Sequence, residues 1–221
     1  MENYRINFGY GITPYVKYLL IANVVVFFLQ TIDATLHHNF LIFFGSIIPL
    51  LITEKYQIWR FFTYMFLHGG FLHIFFNMFM LWMFGPEVER ILGGRRFLKF
   101  YLFTGIGAGI CCYLISPFSP IPVLGASGAI FGVLLAFSMF FPERILLLFM
   151  IIPVKAKYVI AGFALLEVYL TLVGPKDSIS HIGHVGGLIF GYIFLRWGNI
   201  RRDFKFYYLK LKYWWINRKY N

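Results

Sequence analysis

Six predominantly apolar stretches recur along this chain, at about Tyr15–Thr31, Gly70–Phe84, Phe97–Ile115, Val123–Phe141, Tyr158–Val173 and Ile182–Trp197. Nothing else in the sequence constrains the fold as strongly. In hydrocarbon every backbone N–H and C=O must find its partner within the same segment, so runs of this length and polarity are helices that cross a membrane. The composition agrees: 60% of residues are hydrophobic and 13% charged, where soluble domains have about 45–50% and 25%. The expected fold class is all-α, a polytopic membrane protein with a bundle of six transmembrane helices. One domain, residues 15–197, is flanked by an N-terminal segment, 1–14, and a basic, aromatic tail, 198–221. Phe40–Ile52 is interrupted by Gly45 and Pro49, and Ile145–Ile152 is too short to cross; both are expected to lie in the interface. The first run ends in Gln30-Thr31-Ile32-Asp33 without a small-x-small cleavage pattern, so it is expected to be retained as a helix.

The formal net charge is +11. Its distribution argues against nucleic acid. Arg90, Arg95, Arg96 and Lys99 lie between the second and third runs, and Arg144, Lys155 and Lys157 between the fourth and fifth. The tail carries Arg201, Arg202, Lys205, Lys210, Lys212, Arg218 and Lys219, whereas the opposite side receives only Lys55, Arg60 and Lys176. The positive-inside rule then places both termini in the cytoplasm, with the tail on anionic lipid of the inner leaflet. Cys111 and Cys112 sit inside an apolar run and read as small hydrophobes.

This orientation starts the second, fourth and sixth spans on the outer side, each with its polar residues in its first turns. The second has His73 and Asn77, four apart on one face; the fourth has Ser127; the sixth has His181 and His184. At ~1.5 Å per residue they share a depth of roughly 5–12 Å below the outer helix ends. Polar groups at such depth usually face a bundle interior or a water-filled cavity. Gly128 and Gly132 form a GxxxG step on the fourth span, and Gly183, Gly187 and Gly191 form two on the sixth. Close packing there would bring Ser127 towards His184, the arrangement that activates a serine nucleophile. His73, Asn77 and the N–H of Ser127 are candidate donors to an oxyanion, where Gly125 and Ala126 leave room. No carboxylate lies in the outer parts of these three spans, so a Ser–His dyad is expected rather than a triad. Packing glycines and structurally bonded histidines are the bland alternative. The pairs His68–His73 and His181–His184 raise the question of a metal, but without acidic or Cys partners at their depth none is expected. Asp33, Asp177 and Asp203 lie outside the spans, which argues against an aspartyl protease.

Gly125-Ala126-Ser127-Gly128, His73-x-x-x-Asn77 and His184-Val-Gly-Gly187-x-x-x-Gly191 together resemble the signatures of the rhomboid intramembrane serine proteases; Trp59-Arg60 and Glu89 resemble two further family features. The resemblance spans about residues 55–197, with the motifs in order. It implies a rhomboid-like bundle in which Ser127 is the nucleophile and His184 the general base and acid, with His73 and Asn77 as oxyanion donors. Phe131 would lie beneath the imidazole where some relatives carry a tyrosine. The implied substrates are single-pass membrane proteins cut near the outer face, with no cofactor. The six-span architecture points to a prokaryotic plasma membrane. A silent client-binding relative and a histidine-lined metal transporter are the alternatives. Glu167, the one acid inside a span, has no assigned role, and His68 and His181 are expected to make structural hydrogen bonds.

Overall fold

The computed structural model describes residues 11–148, 151–173 and 181–197. The basic tail, the first ten residues, and Lys176 and Asp177 lie outside them. The described chain forms α1 (Pro14–Thr35), three short helices α2 (Phe40–Gly45), α3 (Pro49–Lys55) and α4 (Arg60–Thr63), and a 3-10 turn (Tyr64–Phe66). Then come α5 (Phe71–Leu92), α6 (Gly94–Ile115), α7 (Ser127–Phe140), a β-hairpin of β1 (Ile145–Leu148) and β2 (Ile152–Lys155), and α8 (Ala156–Val173). A further helix, α9, covers residues 181–197. Helices α1, α5, α6 and α8 are long and apolar enough to cross a membrane. The chain is a multi-pass helical membrane protein.

Helix α7 is the centre. Gly128, Ala129, Ile130, Gly132, Val133, Leu134, Ala136 and Phe137 are all buried, so it is apolar around most of its circumference. It packs extensively against α6 and α5. With 14 residues it rises about 21 Å, short of a hydrocarbon core of ~30 Å. One of its ends must therefore lie below the membrane surface, reached by non-helical chain. Such backbone survives at depth only when protein surrounds and satisfies it. The surrounding protein is the α2–α4 region. Ile47 and Val123 exchange backbone hydrogen bonds of 2.9 and 2.8 Å, Leu50 N–H donates to Ser119 (3.0 Å), and Gly125 N–H donates to the Tyr64 carbonyl (3.0 Å). This corrects the expected start of the fourth span: residues 123–126 are extended or turning, and the helix begins at Ser127 itself.

The α2–α4 region is itself built around Arg60. Its fully buried guanidinium donates to the carbonyls of Phe43 (2.7 Å) and Ser46 (2.6 Å) and to Gln57 Oε1 (2.7 Å). A cation at the exposed carbonyls of a helix C-terminus is favoured by the helix dipole, and here it closes α2 onto α4. Trp59 Nε1–H bonds Phe44 O at 3.2 Å beside it.

One further expectation changes, and the Ile145–Ile152 segment gains a local structure. The second span does not stop at Gly85-Pro86: α5 runs on to Leu92 with Pro86 inside it. The hydrogen bond lost at proline is offset by what the added turns hold. Glu89 accepts the N–H groups of Val16 (2.9 Å) and Tyr15 (3.2 Å) and the hydroxyl of Thr13, capping α1. Arg90 donates to Gly11 O at 2.7 Å. Ile145–Ile152, too short to cross, takes strand form in the structure. It forms most of an antiparallel hairpin, with Ile145 opposite Lys155 and Leu148 opposite Ile152, so its backbone groups satisfy one another. Glu143 sits between Lys155 (2.7 Å) and Lys157 at the base of the hairpin. Those two ammonium groups hold its carboxyl down to about 2.

Candidate active site

Ser127 is the first residue of α7, preceded by Ala126, which is fully buried and makes no side-chain cap. The first N–H groups of any helix lack intrahelical acceptors. Ser127 lies at this end of α7, where the unpaired N–H groups carry the positive end of the helix dipole. Gly125 precedes this turn at φ +131°, a conformation that L side chains rarely adopt. A Cβ there would stand 2.9 Å from both Cε1 and Nε2 of His73. The glycine thus brings the His73 ring beside the serine turn.

Helix α9 supplies the partner. His184 Nε2 lies 2.8 Å from Ser127 Oγ, and its ring stacks on Phe131 with centroids 4.3 Å apart and planes 14° from parallel. Phe131 lies one turn along α7 from Ser127, so one helix presents both the hydroxyl and the platform for the imidazole. The approach of the helices is visible in the glycines. A Cβ on Gly187 would fall 1.9 Å from the carbonyl oxygen of Gly128, and one on Gly191 would fall 3.1 Å from Gly132 Cα. Backbone meets backbone, as the GxxxG spacing leads one to expect. The glycines of α7 have a second duty not visible from spacing. The missing side chains of Gly128 and Gly132 point at α6, where a Cβ would meet Ala108 (2.5 Å) and Thr104 (2.7 Å). Glycine on α7 thus admits α6 on one side, while glycine on α9 admits α7 on the other.

From α5 come His73 and Asn77. His73 Nδ1 accepts the N–H of Gly69 at 3.3 Å, which leaves the ring proton on Nε2, the atom turned towards Gly125. Asn77 is buried and donates from Nδ2 to the His73 carbonyl at 2.9 Å. The loop ahead of α5 is clamped by α1. Gln30 Oε1 accepts His68 N–H at 3.1 Å while its amide donates to the His68 carbonyl. His68 is fully buried, with its ring edge-on to His73 at 5.1 Å. Its backbone makes these bonds, whereas neither ring nitrogen has a hydrogen-bond partner among the described residues. The expected structural hydrogen bonding of His68 therefore belongs to its peptide, and packing holds its imidazole.

One neighbour in the site comes from outside the three helices that carry its motifs. His184 has a carboxylate neighbour, brought by α8 rather than by α5, α7 or α9. Glu167 Oε2 lies 2.6 Å from His181 Nδ1 and 3.0 Å from His184 Nδ1. Its signal was present in the sequence, since a lone acid inside an apolar span is costly unless it has a partner. The distance along the chain hid which partner. Glu167, His181 and His184 each offer a possible metal-ligand atom, all within 4.8 Å of one another, so the acid missing from the sequence argument about metals is also supplied here.

Comparison with known proteins gives the same picture along the chain. A family model for the rhomboid domain matches residues 55–198. The chain is 35% identical over 185 residues to the rhomboid protease GluP of Bacillus subtilis, covering 81% of this chain and 34% of that protein. It is 46% identical over 74 residues to the putative rhomboid protease YdcA of the same species, covering 34% and 37%. To the mitochondrial rhomboid protein 1 of Saccharomyces cerevisiae it is 32% identical over 136 residues, covering 58% and 38%. The chain spans about a third of the length of these relatives. With the helical bundle, the motifs on α5, α7 and α9 and these matches in view, the chain belongs to the rhomboid family.

Proposed function

We propose that this protein is an intramembrane serine endopeptidase that cuts single-pass transmembrane substrates near the outer membrane face. The observation that carries this reading is the 2.8 Å contact between Ser127 Oγ and His184 Nε2, at the N-terminus of a helix too short to reach both membrane surfaces. A serine hydroxyl is a weak nucleophile until a base takes its proton, and a neutral imidazole within hydrogen-bond reach does so near pH 7. Ser127 attacks the scissile carbonyl as its proton passes to His184 Nε2. The tetrahedral oxyanion is met by N–H groups of the first turn of α7, by His73 Nε2–H and by Asn77, whose amide rotates from its bond to the His73 carbonyl. His184 returns the proton to the leaving amine, and a water activated by the same imidazole hydrolyses the acyl-enzyme. Phe131 holds the ring by stacking. Hydrolysis at this depth needs a cavity open to water on the outer side.

The remaining proposals follow from charge and architecture. Both termini are cytoplasmic, the six-span domain covers residues 15–197, and the basic tail lies on anionic lipid, in a membrane of the prokaryotic plasma-membrane type. The test uses purified protein in liposomes with a transmembrane substrate, comparing wild type with Ser127→Ala and His184→Ala. Cleavage and labelling by a fluorophosphonate in the wild type alone is the expected result. Cleavage that survives Ser127→Ala removes the nucleophile assignment, and client binding without cleavage identifies a silent relative. For the orientation, a reporter at the C-terminus that is active only in the periplasm would overturn the charge argument.

A further inference from the structure

Glu167 lies in α8, outside every motif that carries the family resemblance, yet it approaches the imidazole of His184 from the side opposite Ser127. The geometry points to a third member of the site: we propose that Glu167 is the positioning residue that holds His184 in its base-competent tautomer and stabilises the imidazolium that forms. This rests on the serine-protease reading above and deepens it.

Three observations carry it. His184 Nε2 faces Ser127 Oγ at 2.8 Å, so for the ring to accept the serine proton its own proton must sit on Nδ1. That Nδ1 is buried and has no hydrogen-bond acceptor in line with it. The polar atom that does approach it is Glu167 Oε2, at 3.0 Å. A buried N–H without an acceptor is costly, and a carboxylate beside it favours both the correct tautomer and the charged ring. Contacts of this kind are often poorly aligned in an empty site and tighten as the reaction proceeds. The carboxylate is itself well placed, with its side chain only 12% exposed and its Oε2 accepting from His181 Nδ1 at 2.6 Å, one turn before His184 on the same helix. Among the described residues, the polar and titratable groups around His184 are thus Ser127 from α7, Glu167 from α8, His181 from its own helix α9 and, beyond Gly125, His73 from α5.

In the step itself, the Ser127 Oγ–H bond breaks, the oxygen's electron pair forms the bond to the carbonyl carbon, and the proton goes to His184 Nε2. The imidazolium then carries one positive charge between Ser127 and a carboxylate that stays ionised. Collapse of the intermediate returns that proton to the leaving amine. Glu167 gains and loses no proton. Its role is to hold the ring and offset its charge, as the acid does in a Ser-His-Asp triad.

The experiment compares wild type with Glu167→Gln, Glu167→Asp, His181→Ala and Ser127→Ala in liposomes, measuring kcat and KM separately on a transmembrane substrate. Glutamine keeps the size but loses the charge, and it can turn an N–H towards Nδ1 and favour the wrong tautomer. The expected loss for Glu167→Gln is on the order of 10²-fold in kcat with KM changed less than about 3-fold. Aspartate, which restores the charge, should recover part of that loss. His181→Ala should cost less than about 5-fold, because it leaves the carboxylate facing His184. Histidine-labelled wild-type protein should also show a low-field Nδ1–H proton resonance for His184 that disappears in Glu167→Gln. Its presence in the wild type keeps the proposal testable should the glutamine variant fold poorly, and its absence there overturns the proposal. Wild-type kcat in a folded Glu167→Gln, or His181→Ala equal to Glu167→Gln, overturns it by leaving the acid only a tie between α8 and α9. Stoichiometric zinc that is lost with Glu167→Gln, together with inactivation by a chelator, overturns it in favour of a metal. Failure of the serine reading is distinguishable, since it shows as cleavage in Ser127→Ala whatever Glu167 does.

Discussion

Replacing Gly187 by alanine is the sharpest test of the idea that backbone contact between α7 and α9 sets the distance within the site. The added Cβ would stand 1.9 Å from the carbonyl oxygen of Gly128, which is backbone and cannot swing aside. An ordinary contact begins near 3.4 Å, so the helices must part by roughly 1.5 Å at this level, or α9 must rotate by an equivalent amount. His184 is three residues away on the same helix. A similar displacement there takes the 2.8 Å contact with Ser127 to about 4 Å, beyond the ~2.6–3.2 Å in which a base can take a hydroxyl proton. Misplacement by about 1 Å costs on the order of 10²-fold in rate, and overpacking of this kind costs about 1–3 kcal/mol of stability. The measurement is the second-order rate of fluorophosphonate labelling at Ser127, with thermal unfolding in parallel. Gly191→Ala is the graded control, because its Cβ would meet Gly132 Cα at 3.1 Å, where a shift of a few tenths of an ångström suffices. Gly162→Ala on α8 is the blank, with nothing within 4 Å. The expected order of labelling is Gly162→Ala like wild type, Gly191→Ala slightly slower, and Gly187→Ala slower by on the order of 10²-fold. Wild-type labelling in a folded Gly187→Ala would refute the argument.

Gly125→Ala should leave the bundle folded but lower labelling by at least about 10-fold, because the backbone is at φ +131° and the new methyl meets the His73 ring at 2.9 Å; unchanged labelling would mean that the ring is free to move. Glu89→Ala removes the acceptor for Val16 and Tyr15 N–H and should cost about 1–2 kcal/mol, read as a lower unfolding midpoint. His68, in the loop before α5, is held by burial and by His73 down to about 4, whereas in the unfolded chain it titrates near ~6.5. The unfolded state therefore binds the proton first as pH falls. Stability is full above pH ~6.5 and declines towards pH ~4, by at most about 3 kcal/mol. The acid-side slope of unfolding midpoint against pH should be shallower in His68→Gln than in the wild type, and equal slopes would assign the acid sensitivity elsewhere.

The residues of the site differ in how far the sequence discloses them. Ser127, His184, His73 and Asn77 stand out because a polar group in an apolar run carries a desolvation cost that chance does not sustain. Their residue types also match one chemistry. The glycines of α9 are equally legible from spacing. What spacing does not show is that Gly128 and Gly132 turn their open side to α6, because a helix in a bundle has several neighbours and a one-dimensional pattern names none of them. Glu167 is visible as an oddity and invisible as a partner for the same reason.

The sequence alone determines that this is a multi-pass helical protein, because solvation in lipid acts on each segment independently and leaves its mark in every run of residues; the resemblance to the rhomboid family rests instead on its motifs. Tertiary structure decides where the elements end and what faces what. Helix α7 starts at Ser127, since the residues before it find their hydrogen bonds on Tyr64 and Ile47. Helix α5 passes through Pro86, since Glu89 is held to the start of α1. A carboxylate from α8 comes to rest 3.0 Å from the imidazole of α9. Each depends on partners distant in sequence, and such contacts exist only once the helices have packed.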